Sequence, residues 1–159
     1  MIKLNKQTVI GLLLLFLFIL QYVLELKFEW LYSLQQQESY KRWSGLGLAL
    51  FILFQWLLTF SRVIKKFRKY SLKITNLHKW IGAISPLFFY IHSMHIGYGY
   101  LALLAYIFII NNFIGYFNLD VIKSTNETLF KGWMITHVAF SVIITILMIF
   151  HIGVVFYYK

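Results

Sequence analysis

Two apolar stretches of the chain carry histidines at one repeated spacing. In LHKWIGAISPLFFYIHSMHI, residues 77–96, thirteen residues separate His78 from His92. In HVAFSVIITILMIFH, residues 137–151, thirteen separate His137 from His151. Fourteen helical positions turn through ~1400°, about 40° short of four whole turns, and climb ~21 Å. Each pair therefore sets two imidazoles on one helix face, one toward either side of an apolar layer ~30 Å thick. If the two helices run parallel and face one another, His78 meets His137 and His92 meets His151. Equal spacing permits both meetings at once.

The remaining sequence says what surrounds these helices. Of 159 residues, 60% are hydrophobic and 20% aromatic, only 13% are charged, and there is one proline. That balance excludes a soluble domain and predicts an all-α, polytopic transmembrane bundle, a single integral-membrane domain over residues 1–159. The spans are expected at about 8–26, 44–60, 74–96, 100–117 and 132–157. Residues 27–42, between the first two, read as a mixed-charge connection flanked by Trp30 and Trp43, which suit a membrane interface. Pro86 bends the third span without ending it, and Gly97-Tyr-Gly99 turns the chain before the fourth.

The net charge of +10 sits between the apolar spans, which argues for membrane topology and against nucleic acid. Arg62, Lys65, Lys66, Arg68, Lys69, Lys73 and Lys79 follow one another without an acid. Placing that run in the cytoplasm puts the N-terminus inside. Lys3, Lys6, Lys123 and Lys131 then join it there, leaving Lys27, Lys41, Arg42 and Lys159 outside. The N-terminal apolar run lacks a small-residue cleavage motif and reads as a retained span. The expected location is an integral membrane, the inner membrane of a bacterium.

Chemistry narrows next. With no cysteine, thiolate ligands, iron–sulfur clusters and covalently attached c-type haem are excluded. The five acids, Glu25, Glu29, Glu38, Asp120 and Glu127, lie at span ends or in connections. That placement argues against cation or proton transport, which needs carboxylates at depth. Phosphate-loop, His-Glu-x-x-His and Gly-x-Ser-x-Gly patterns are absent. Paired imidazoles suit the axial positions of b-type haem. The expectation is two haems b, ligated by His78, His92, His137 and His151, forming an electron path across the bilayer. Gly82, one turn after His78, leaves room for a flat macrocycle. His95 is an alternative to His92, a propionate partner or an interface residue, and by helical angle it lies about 100° from the His78 face. Lys79 and Lys131 are propionate candidates, though topology charge explains both, and Trp80, Phe88, Phe89, Phe140 and Phe150 are lipid, core or haem contacts. Histidines that merely pack, in a haem-free scaffold or accessory subunit, and a non-haem metal or proton path are the competing readings.

At Leu77-His-Lys-Trp-Ile-Gly82 and Ile91-His92 the chain resembles the ferric-reductase-like transmembrane domain family. The resemblance covers about residues 45–155 and includes the second pair, His137 and His151. It implies electron flow from a cytosolic flavin or a quinol through the inner haem to an outer-side acceptor. The family commonly has six spans, against five here, and no flavin or nicotinamide region precedes the last residue, Lys159. The expected role is therefore an electron-transfer subunit rather than a complete oxidoreductase. A separate flavoprotein or membrane quinol would donate, and the setting would be a larger membrane complex. The cytochrome b subunit of quinol-oxidising complexes offers a second resemblance, through His95-Ile-Gly-Tyr-Gly-Tyr, and would make His95 the outer ligand.

Overall fold

The computed structural model describes residues 4–117 and 126–158. Lys3, the segment from Asn118 through Asp120 and Lys123, and Lys159 lie outside the described residues, so the topology charges placed there have no structural counterpart. The described residues are helical, with no strand among them. Helix α1 is Lys6–Val23, α2 Glu29–Gln36, α3 Glu38–Gln55 and α4 Leu57–Val63. A 3-10 segment, Lys65–Tyr70, leads to α5, Ser71–His92, then α6, Tyr100–Tyr116, and α7, Glu127–Tyr157. Three helical stretches are long and apolar enough to cross a membrane: α1, the α3–α4 run over Glu38–Val63, and α7. Helix α6 is apolar but has 17 residues.

Several boundaries differ from the sequence expectation. Residues 27–42 contain a helix of their own, α2, and the first turns of α3, which begins at Glu38 rather than Ser44. Polar residues open both helices, and hydropathy reports where a chain is apolar rather than where its helix begins. The second span is broken near Trp56, between α3 and α4. The third ends at His92 instead of Ile96, and Ser93 is already extended. Two glycines with positive φ, Gly97 at 78° and Gly99 at 59°, make the turn that separates α5 from α6.

Four helices form a closed ring. Helix α3 packs on α5, α5 on α6, α6 on α7, and α7 back on α3, while α1 lies outside against α5 and α6. Helices α5 and α7 are thus diagonal partners. His78 lies beside His137 and His92 beside His151, so the two run parallel. Helix α3 runs against them, since Ser44 near its start reaches His92 and Gln55 at its end reaches His78. Helix α6 does likewise, starting beside His151 at Tyr100 and ending at Tyr116 near Gly82. Helix α1 follows α5, with Gln7 bonded to Asn76 and Phe18 against Phe89.

Polar side chains are buried among the apolar core, and the outside is apolar. Thr8, Gln35, Ser61, Ser85 and Asn111 are buried, whereas Ile135, Ile146 and Ile149 of α7 are 63%, 61% and 60% exposed. Lipid tails stabilise such a surface and water does not. Inside, Pro86 has no N–H for the Gly82 carbonyl one turn back in α5. That carbonyl instead accepts from the Tyr116 hydroxyl at 2.9 Å, while Ser85 Oγ, also 2.9 Å away, gives its one proton to Asn112 Oδ1 at 2.6 Å. The helix therefore passes its proline intact.

The His92 end of α5 is held by α2. Gln35, 5% exposed, donates through Nε2 to the carbonyls of Tyr90 at 2.8 Å and Ile91 at 3.0 Å, and its Oε1 accepts from Met94 N at 3.1 Å. One amide thus satisfies three backbone groups that the helix terminus leaves over. Each buried group left unsatisfied costs about 1–3 kcal/mol. Gln35→Ala is expected to destabilise the protein by at least that amount, measured as a lowered unfolding midpoint in detergent. Amide exchange of Met94 should accelerate with it, and an unchanged midpoint and exchange rate would remove Gln35 from this role.

Candidate functional site

The diagonal arrangement keeps α5 and α7 apart, and their histidines meet across the gap. The rings of His78 and His137 lie 6.2 Å apart centre to centre at 84°, and those of His92 and His151 lie 6.5 Å apart at 65°. A ring nitrogen binds a metal at about 2.0 Å and sits roughly 1.1 Å from its ring centre, so two imidazoles on opposite sides of one ion have centres about 6.2 Å apart. Both pairs have that spacing.

Neighbouring helices orient the rings through Nδ1. His78 Nδ1–H donates to the Gln55 carbonyl at 3.3 Å. This acceptor exists because α3 breaks after Gln55 and leaves its last carbonyls unpaired within the helix. A carbonyl only accepts, so in neutral His78 the proton is on Nδ1 and the lone pair on Nε2. His92 Nδ1 lies 3.1 Å from Ser44 Oγ, and His151 Nδ1 lies 3.4 Å from the Tyr100 hydroxyl. His137 stacks on Trp133, 5.9 Å away and 2° from parallel, while Trp133 Nε1–H is anchored on the Ile114 carbonyl at 2.8 Å. Nδ1 of His137 is buried without a hydrogen bond; the Asn111 carbonyl faces it outside bonding geometry. Of the three bonded rings, His78 faces an obligate acceptor and so shows the outer-shell arrangement that metal-ligating imidazoles use.

Two glycines make room for the rings. A Cβ on Gly45 would lie 2.9 Å from His92 Cε1, and one on Gly115 would lie 3.1 Å from His137 Cε1. The sequence singled out neither for this purpose. Only the fold shows that each faces an imidazole on another helix.

A cavity of about 350 Å³ opens around His78 and His137. Gly82 lines it, and a Cβ there would meet nothing closer than Gln55 Nε2 at 3.7 Å. The aromatic wall consists of Phe51, Trp56, Phe108, Tyr116, Phe130 and Trp133. The aromatics singled out from sequence lie elsewhere. Phe88 stacks on Phe51, Phe89 sits between Phe18 and Phe108, and Phe150 meets Tyr100. Lys79 lines the cavity with Arg62, whereas Lys131 pairs with Glu127 at 3.4 Å and lies outside the lining. Arg62 is an addition that sequence reading had counted only as topology charge. Buried Gln55 Oε1 and Asn111 Oδ1 have no hydrogen bond, and both residues belong to the cavity wall.

His95 stands apart. The helix ends before it, so the helical angle does not apply, and its exposed ring packs against Tyr32 at 6.0 Å. Among the described residues no cluster of three or more histidines, cysteines or carboxylates exists. A bare ion would thus find two protein ligands at each pair, too few for the usual four. A macrocycle that brings four nitrogens of its own needs only the two.

No protein-family model matches the chain. No curated protein and no solved structure matches it either.

Overpacking a tight site costs about 1–3 kcal/mol. Gly45→Ala is expected to displace the His92 ring and Gly115→Ala the His137 ring. Histidine-selective NMR should show each substitution moving its own ring's shifts first. Gly47→Ala is the control: nothing lies within 4 Å of its Cβ, so a small gain in stability is expected.

Proposed function

We propose that this chain is a membrane di-haem b cytochrome subunit that carries electrons across the bilayer. The observation that carries the reading is the double meeting of imidazoles, two pairs at ligand spacing on parallel, diagonally opposed helices. His78 and His137 hold one haem, and His92 and His151 the other. When bound, haem b supplies a one-electron carrier at each level. The protein's own part is to orient and enclose. The Gln55 carbonyl and Ser44 hold two rings by Nδ1, Gly45 and Gly115 let rings approach the neighbouring helices, and Gly82 keeps the macrocycle's side of α5 clear. Arg62 and Lys79 give the cavity the positive charge that haem carboxylates require.

In this reading the five long helices α1, α3–α4, α5, α6 and α7 all cross the membrane, N-terminus inside. The basic run from Arg62 to Lys79 marks the cytoplasmic side, and a bacterial inner membrane is the setting. The donor is a separate flavoprotein or a quinol, the acceptor lies on the outer side, and a larger membrane complex is the context. The motif resemblance to ferric-reductase-like domains supports the same assignment. His92 is the outer ligand, because it is the ring beside His151.

Two haems b per chain are expected in the pyridine haemochrome assay of the purified protein; a colourless preparation from haem-replete cells would return the histidines to packing. His78→Ala and His137→Ala should each remove the same haem, and the double variant should match either single one. His92→Ala and His151→Ala should behave as the other such set, while His95→Ala should keep two haems. Mixed behaviour, with His78→Ala matching His151→Ala, would sink the pairing.

Topology is tested separately. An N-terminal tag should resist protease added to intact spheroplasts and be cut after lysis. Cleavage in intact spheroplasts would reverse the assigned sidedness.

A further inference from the structure

We propose that Ser44 is the positioning residue that decides which nitrogen of His92 is free to bind a metal. Ser44 Oγ–H has an acceptor of its own, the Tyr40 carbonyl at 2.7 Å, with the Lys41 carbonyl at 3.3 Å as the alternative. A hydroxyl has one proton. With that proton spent on the backbone of α3, Ser44 Oγ faces His92 Nδ1 at 3.1 Å as an acceptor. Nδ1 must then carry the hydrogen, and in the neutral ring the lone pair falls on Nε2. The next residue completes the seat, since Gly45 admits His92 Cε1 where a Cβ would lie 2.9 Å away. The Ser44-Gly45 dipeptide thus holds the Nδ1–Cε1 edge of the ring by one hydrogen bond and one absent methyl. It sits in the second turn of a helix that runs against α5, at the same level as the Gln35 clamp on the α5 terminus. The ring and its helix end are fixed independently.

The seat also tunes the site. An acceptor on Nδ1–H raises the basicity of the opposite nitrogen and so favours the more positive metal. Removing it should make the outer carrier easier to reduce. Loss of such outer-shell partners typically costs about ten-fold or more in metal affinity or activity, and the same factor in a one-electron couple is about 59 mV. This redox consequence rests on the haem reading above, whereas the tautomer does not.

The experiment therefore has two arms on the full-length protein in lipid nanodiscs: the tautomer is read on a haem-free preparation, where no metal can fix the proton on Nδ1, and the redox arm on the protein as purified. Histidine-selective 15N NMR, with His92 assigned by its loss in His92→Ala, should find His92 protonated on Nδ1. Ser44→Ala should lose that preference and Ser44→Thr should keep it. Wild-type His92 protonated on Nε2, or indifference to Ser44→Ala, overturns the proposal. In the redox arm, Ser44→Ala should raise the outer haem's midpoint about ten-fold in reduction equilibrium at an unchanged haem count, with Ser44→Thr near wild type. An outer midpoint that stays put overturns the tuning role. If the protein carries no haem, the functional reading fails while the tautomer arm still decides for or against Ser44.

Discussion

Everything in this fold answers to one separation: α5 and α7 stand on the diagonal of the helical ring and reach each other through imidazoles. Adjacent helices in a bundle close to 8–10 Å and leave no slot between them. A diagonal pair stays open if the other two helices hold the ring apart, and α3 and α6 do so. Each packs against both histidine helices and each supplies atoms to the rings: Ser44 and Gln55 from α3, Tyr100 and Gly115 from α6. Spacing within the helices and spacing between them are thus set by different residues. The repeated interval puts the rings on two levels, and the walls determine how far apart they stand.

The second organising demand is polar satisfaction in an apolar surround. Pro86 removes a donor from α5, and the Gly82 carbonyl recruits Tyr116 in its place. Tyr116 fits only because Gly11 on α1 has no side chain; a Cβ there would lie 2.6 Å from the phenol ring. Asn112 accepts from Ser85 at 2.6 Å and ties α5 to α6 at the same height. The break after Gln55 works in the opposite sense, since it frees a carbonyl that His78 then uses. Unsatisfied backbone groups are costly without water, so both irregularities are tied into the cavity wall rather than turned to lipid. Trp56, at the break itself, is anchored by Nε1–H on Thr145 Oγ1 at 3.0 Å, which links α3 to α7.

The helices and the level of each histidine were legible in the sequence because both follow from periodicity. Hydrophobic runs located α1, α3, α5, α6 and α7, and the glycine turn at 97–99 separated α5 from α6 as expected. The ends of the helices were less legible. Helix α2 and the start of α3 are polar, and their helicity depends on partners distant in sequence, as Gln35 shows by bonding residues 55 and more positions away. The end of α5 at His92 also changed the meaning of His95, whose angle on an imagined helix carried no information once the helix had stopped. Gly45 and Gly115 were unreadable as ring seats, because a glycine's neighbour across a bundle is a tertiary fact. Seven like charges hid Arg62 among residues that mark topology, although it lines the cavity.

The long helices are far from equal. Helix α1 has 18 residues and α7 has 31, which at 1.5 Å per residue makes them ~27 Å and ~46 Å long. A hydrocarbon layer of ~30 Å suits the first and leaves the second with about three turns to spare. Tilt of ~20° absorbs only a small part of that excess. If α7 crosses the bilayer as proposed, its first turn, capped by Asn126 Oδ1 and opening the Glu127–Lys131 pair, would stand clear of the lipid on the side of His78 and His137. Thinning the bilayer would raise that post further and expose more of the apolar helix behind it. Thickening would strain the two shortest spans, α6 and α1, first. On the proposed topology, hydrophobic mismatch would be felt as a shear between the short α1 and the long α7 across the cavity they flank.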